Sequence, residues 1–142
     1  MRTLIFTLLM TLILGEGVVY AHGEDKPGPN GGFLRMPGAF HTEVIPLGPN
    51  KLKVFLLDIT WQNPSTANSD LAVSLKSKKS TKAKCEIKDN YYICDFPKGV
   101  DINRKGKLLV EAKRENQKGN QVSYELPLKL QVIDDVHGGH HE

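Results

Sequence analysis

Along residues 51–132 apolar side chains recur at every second position, and short clusters of Gly, Pro, Asn, Asp and Ser interrupt them. A period of two puts successive side chains on opposite faces of an extended chain, so each run predicts a half-buried β-strand. Leu71, Val73 and Leu75 alternate with Ala72, Ser74 and Lys76, and Leu108, Val110 and Ala112 with Lys107, Leu109, Glu111 and Lys113. The last run is the longest: Val122, Tyr124, Leu126, Leu128, Leu130 and Val132 alternate with polar positions and Pro127. Pro127 has no N–H to give a ladder, which marks an edge strand or a bulge. Residues 51–61 differ, with Phe55, Leu57, Ile59 and Trp61 pointing one way and Leu52, Val54 and Leu56 the other. A strand apolar on both faces belongs at the centre of a sheet covered on both sides, or carries a bulge that exchanges its faces. Short strands are expected from Phe33 and over residues 39–45, on either side of a Pro37-Gly38 turn, while residues 63–69 and 115–120 read as loops. No stretch after residue 21 has helical period. The pattern predicts an all-β chain, an immunoglobulin-like antiparallel β-sandwich of seven or eight strands.

Residues 84–94, KCEIKDNYYIC, specify their own register. Asp89-Asn90 tolerate the positive φ of a two-residue type I′ turn. With those two as the loop, Lys88 faces Tyr91, Ile87 faces Tyr92 and Cys85 faces Cys94. Counting outward from the turn puts the cysteines at a non-hydrogen-bonded pair, where side chains approach most closely and an S–S bridge fits. The same alternation aims Ala83, Ile87, Tyr92 and Phe96 at the core. A Cys85–Cys94 disulfide closing so short a loop contributes on the order of 2–3 kcal/mol. A thiol redox or metal site would instead ask for Cys-x-x-Cys and a neighbouring base.

The first residues change the picture of where this sheet works. Arg2, an apolar run over residues 4–14 and a polar step at Gly15-Glu16-Gly17 lead to Val19-Tyr20-Ala21. The run is too short to span a bilayer, and the small residues suit a signal peptidase, so residues 1–21 are expected to be a cleaved secretory signal. That implies a periplasmic or secreted protein without a stable membrane anchor, an oxidising compartment and hence a disulfide from the two cysteines. The remaining residues suffice for one domain that buries about two-thirds of its unfolded surface. The formal charge of +3 is mild, and the lysines are spread along the strands. It argues for neither nucleic acid nor a strongly attracted anionic surface.

Candidate chemistry lies in five histidines, one at the start of the mature chain, one on an early strand and three at the end. Residues 22–39 form a Pro/Gly-rich strap ahead of the sandwich at residues 40–133, and residues 134–142 are a His/acidic tail. Pro27 and Pro29 keep the strap extended, and Gly31-Gly32 permit a tight turn. Cleavage after Ala21 makes His22 the new N-terminus, where its amine and imidazole can chelate Cu(II) and a second histidine can complete the site. The plainer alternative is that His22 only begins a frayed end. His41 and Glu43 are two apart on a strand and share a face, as a pair of metal ligands, an imidazole oriented by a carboxylate, or a solvated polar stripe. His137, His140 and His141, with Asp134-Asp135 and Gly138-Gly139 nearby, can fold around an ion or hold it loosely. With Met36 the only methionine after residue 21 and both cysteines oxidised, soft Cu(I) is disfavoured against Cu(II) or Zn(II). Neither G-x-S-x-G nor H-E-x-x-H occurs, and no enzyme activity is expected.

Gly28-Pro29-Asn30-Gly31-Gly32, then His41-x-Glu43 and the strand at residues 53–58, resembles a motif of heavy-metal efflux systems. There a Gly-Pro-His-Gly-Gly … Glu … strand pattern opens a β-sandwich domain of periplasmic adaptor proteins and of small exported relatives. The resemblance covers roughly residues 22–60. It implies a periplasmic sandwich near metal traffic, with an envelope efflux or resistance protein as partner. Asn30 stands where the family has histidine, so either binding has moved to His22 and His41 or the scaffold has lost its ion. A looser likeness is to exported copper carriers with a mature N-terminal histidine. The expected function is a soluble periplasmic protein that buffers or hands over Cu(II) or Zn(II). The alternative is a non-catalytic structural or protein-interaction module of the envelope whose histidines are incidental.

Overall fold

A computed structural model describes residues 26–130. They form ten strands: β1 (Phe33–Arg35), β2 (His41–Gly48), β3 (Lys51–Leu57), β4 (Asp70–Lys76), β5 (Ser80–Lys82), β6 (Lys84–Lys88), β7 (Tyr91–Asp95), β8 (Gly106–Arg114), β9 (Gln117–Lys118) and β10 (Val122–Leu126). One antiparallel sheet has the order β1-β2-β3-β7-β6 and the other β10-β8-β4-β5, with β9 paired to β8. No helix occurs among the described residues, and the two sheets pack as a β-sandwich. The strand count exceeds the expected seven or eight because β5 and β9 are too short to show a period.

The inner faces follow the alternation. Val44, Leu52, Val54, Leu56, Tyr92 and Cys94 from the first sheet meet Val73, Leu108, Val110, Val122 and Tyr124 from the second, all buried. Each such aliphatic side chain contributes about 1.5–3 kcal/mol by leaving water. β3 lies at the centre of its sheet, and its other face, Phe55 and Leu57, packs with Leu34 in a second, smaller cluster joined by Ile45, Trp61 and Tyr91. Coverage on both sides, not a bulge, explains why this strand is apolar throughout. The strap is part of the sheet, since β1 pairs with β2 from Phe33↔Val44 to Arg35↔Thr42.

The hairpin has the expected register, with Lys88↔Tyr91, Ile87↔Tyr92 and Cys85↔Cys94, and the disulfide joins the cysteines across a Cα–Cα distance of 4.0 Å. Two details differ. Asp89 takes a positive φ of 50° but Asn90 does not join it, so the turn is not type I′. The paired positive φ of that turn appears instead at Glu115-Asn116 (47° and 67°), within residues expected to form only a loop. Ile87 is 55% exposed rather than core-facing, on β6, the outermost strand of its sheet.

Two longer runs end early. β3 stops at Leu57, so Ile59 and Trp61 belong to a turn. β10 stops at Leu126, immediately before Pro127, and lies at a sheet edge as the proline required. That edge is stapled to β1 by Arg35, whose Nε donates to the Ser123 carbonyl at 3.0 Å and whose guanidinium lies 4.5 Å above the Tyr124 ring. Burial holds the Arg35 pKa below its ordinary value and pushes that of Tyr124 up. The Tyr124 hydroxyl shares a 2.7 Å hydrogen bond with the Thr42 hydroxyl of β2, so the two sheets are joined through polar groups that satisfy one another.

Candidate functional site

The outer face of the first sheet carries His41, Glu43 and Ile45 on β2, beside Phe55 and Leu57 on β3. The expected common face for His41 and Glu43 therefore exists, but both residues are buried (3% and 0% exposed), so the face is not a solvated stripe. Each of the two is enclosed by a different loop.

Glu43 is enclosed by the strap. The Asn30 and Gly32 backbone amides both donate to Glu43 Oε1 at 2.9 Å, and the Asn30 side-chain amide donates to Oε2 at 2.9 Å. The turn itself is closed by Gly31 N–H to the Gly28 carbonyl (2.9 Å) and Gly28 N–H to the Gly32 carbonyl (2.8 Å), with Gly31 at φ 79°. Pro29 suits the second position of such a turn, and a glycine takes the left-handed position. Closeness explains two of the glycines: a Cβ on Gly28 would run into Glu43 Oε1, and one on Gly32 would lie 2.7 Å from the Val44 carbonyl oxygen. Gly-Pro-Asn-Gly-Gly is thus a backbone cradle for one buried carboxylate.

His41 is enclosed by the turn after β3. Asp58 organises that turn: its Oδ1 accepts from the Thr60 amide and hydroxyl (2.9 and 2.7 Å) and the Gln62 amide (2.9 Å), and its Oδ2 from the Asn63 side chain (2.7 Å). These donors, the Thr60 hydroxyl first, hold the Asp58 carboxyl well below the usual carboxylate range. The turn sets Trp61 at φ 64°, a conformation that a bulky residue adopts only when its surroundings impose it. From there the indole Nε1–H donates to His41 Nε2 at 3.2 Å, with the two rings edge-on and 6.0 Å apart. Indole nitrogen can only donate, so Nε2 is the acceptor and the ring proton sits on Nδ1, which donates to the Asp58 carbonyl at 3.2 Å. Arg114, crossing from the second sheet, braces the turn from beneath: its Nη2 donates to the Asn63 carbonyl at 2.6 Å and its Nε to the Leu56 carbonyl at 3.3 Å.

No protein-family model, curated protein or solved structure matches this chain. The site is therefore read from its own geometry. His22, His137, His140 and His141 lie outside the described residues. Among the described residues no three His, Cys, Asp or Glu side chains gather where they could hold a metal ion. Of the two expected ligands that are described, Glu43 has both oxygens committed to the strap. His41 is oriented by a backbone carbonyl through Nδ1 and turns Nε2 toward Trp61. A hydrogen bond that fixes one ring nitrogen is also a feature of metal-ligating imidazoles.

Sequence reasoning did not single out Asn30, Asp58, Trp61 or Arg114 for these roles. A signal existed for the turn: Asp58-x-Thr60 followed by Asn63-Pro64 carries the residues that bond back to a turn's own backbone. The depressed pKa of Asp58 has a testable consequence. A carboxyl whose pKa is lowered on folding stabilises the fold above its ordinary value, 3.8, and loses that contribution as pH falls from there toward the folded value. Trp61 emission is expected to stay constant through the ordinary carboxylate range and to shift red only in more acidic solution, toward the folded value. Asp58→Asn should abolish the acid-dependent step, and an unchanged step in that variant would assign the titration to another group.

Proposed function

We propose that this is an exported, non-catalytic metal-binding protein of the cell envelope that takes Cu(II) or Zn(II) as cargo through His22 and His41. The observation that carries the reading is the presentation of His41 on the outer sheet face, with Nδ1 against the Asp58 carbonyl and Nε2 accepting from the Trp61 indole N–H. Gly28 lies against Glu43, two residues along β2 from His41, and His22 stands six positions before Gly28 in the chain. A chain of that length reaches roughly 20 Å at full extension, enough to bring the amine and imidazole of residue 22 over the same face. Glu43 holds the strap in this reading and is not a ligand. The tail histidines His137, His140 and His141 supply weaker capture, and an envelope resistance or efflux protein receives the ion.

A second reading has its own support. His41 and Glu43 both already have good protein partners, which suits an interaction module whose histidines are incidental.

Trp61 is the only tryptophan, so its fluorescence reports on the proposed site without a label. Titration of the mature protein with Cu(II) is expected to quench that emission at one equivalent. His22→Ala and His41→Ala should each weaken binding by about tenfold or more. Binding that leaves Trp61 emission unmoved and disappears on deletion of residues 137–142 would sink the metal-carrier reading in favour of the interaction module.

A further inference from the structure

Where β4 and β10 finish and β8 begins, Lys76 stands directly across the ladder from Lys107. Like charges in that position destabilise a strand pair. The other end of the same two strands is balanced, with Asp70 across from Lys113 in a 2.8 Å ion pair. A groove of about 680 Å³ opens at the unbalanced end, lined by Lys76, Lys105, Lys107 and Lys129, with Glu125 the one acid in its lining. Glu125 is already paired with Lys107 at 3.2 Å. Lys78 and Lys79 are exposed in the short loop between β4 and β5, just after Lys76 in the chain. The fold has thus gathered into one groove four lysines from three separate stretches of chain against a single acid. Glu125 offsets one of these charges, and a concave surface lined by the remaining charges of one sign attracts the opposite sign.

We propose that this groove docks an acidic, extended polypeptide segment of a partner protein. The shape favours a chain over a membrane, because a plane of lipid headgroups cannot enter a concavity whereas a strand of carboxylates can lie along it. The chemistry agrees. Lysine ammoniums are point charges on flexible stems, which suit carboxylates at irregular spacing, while planar, bidentate recognition would call for arginine. Charge complementarity of this kind steers encounter and selects the partner more than it deepens affinity. The inference does not depend on the metal reading.

The test uses the mature protein, a synthetic eight-residue peptide of alternating Glu and Ser, and vesicles of phosphatidylglycerol and phosphatidylcholine. The peptide is expected to bind, and to weaken about tenfold between roughly 50 and 300 mM salt. Combined Lys76→Gln, Lys107→Gln and Lys129→Gln should remove at least about tenfold of the affinity. Combined Lys88→Gln, Lys98→Gln and Lys118→Gln, which take the same charge from exposed lysines elsewhere, should leave most of it. Circular dichroism confirms that both variants fold. Equal loss in the two variants would reduce the effect to net charge and overturn the proposal. So would vesicle binding without peptide binding, which assigns the surface to lipid, and so would no binding of either. Peptide binding that appears only after deletion of residues 131–142 would name the chain's own acidic tail as the occupant and likewise overturn it.

Discussion

Glu43→Ala is expected to lower folding stability by about 3–5 kcal/mol, the cost of removing one member of a buried, charge-assisted network. The alanine removes the acceptor of three hydrogen bonds and leaves the Asn30 and Gly32 amides facing a void beneath the strap. Each bond to a carboxylate is worth about 1.5–3 kcal/mol, and part of the sum returns when the strap lifts and water reaches its amides. Glu43→Gln should cost less, about 1–2 kcal/mol, since one amide oxygen can still receive both backbone donors now shared by Oε1. Urea midpoints give the stabilities, and hydrogen exchange at the amides of residues 30 and 32 gives the local effect. Fast exchange there in the unmodified protein, or a wild-type midpoint for the alanine variant, would mean that the carboxylate does not hold the strap. The same variants separate structure from ligation. A structural Glu43 changes stability in the absence of metal, whereas a ligand would change metal affinity and leave the apo-protein's midpoint in place.

Arg114→Met should cost about 2–4 kcal/mol and loosen the Trp61 turn before the rest of the sandwich. Methionine keeps most of the buried aliphatic volume, so the loss is one of hydrogen bonds. The Asn63 carbonyl loses its 2.6 Å donor, while the Leu56 carbonyl retains the Ser65 amide at 3.1 Å. The damage therefore concentrates at residues 58–63, where a positive φ at Trp61 and another at Asn63 have to be maintained by their surroundings. The Trp61 emission maximum is expected to move red in dilute urea, ahead of the circular dichroism transition that reports the sheets. Arg114→Lys should recover only part of the loss, because an ammonium group cannot span the two carbonyls in the guanidinium's fork geometry. Coincident transitions in the methionine variant would show that the turn does not rely on Arg114. The outcome bears on the metal reading as well, since a loosened Trp61 gives up its hydrogen bond to His41 Nε2 and should change Cu(II) binding if that atom is a ligand.

Both predictions concern contacts that the linear sequence does not display, and the contrast with what it does display has a plain cause. The alternation of Val122, Tyr124 and Leu126, the central position of a strand apolar on both faces and the pairing of Cys85 with Cys94 all depend on neighbours in the chain. Local sterics and a pleat of period two suffice to read them. The resemblance in residues 28–43 was visible too, but its meaning was not. The spacing showed that His41 and Glu43 share a face. It did not show that Asn30 and Gly32 fold back across that face and turn Glu43 from a candidate ligand into the anchor of the strap.

What the sequence determined by itself, then, was a two-layer β architecture, one hairpin with its register and disulfide, and a strap that must be extended and then turn. Tertiary structure alone decided which donors surround Glu43, that the run from Lys51 breaks at Asp58 so that Trp61 meets His41, and that Arg114 reaches that turn from the opposite sheet. It also decided that lysines from three separate stretches of chain share one groove. The reason is range: periodicity and turn chemistry act over a few residues, whereas a buried polar group is satisfied by whatever the folded chain carries to it from far along the sequence.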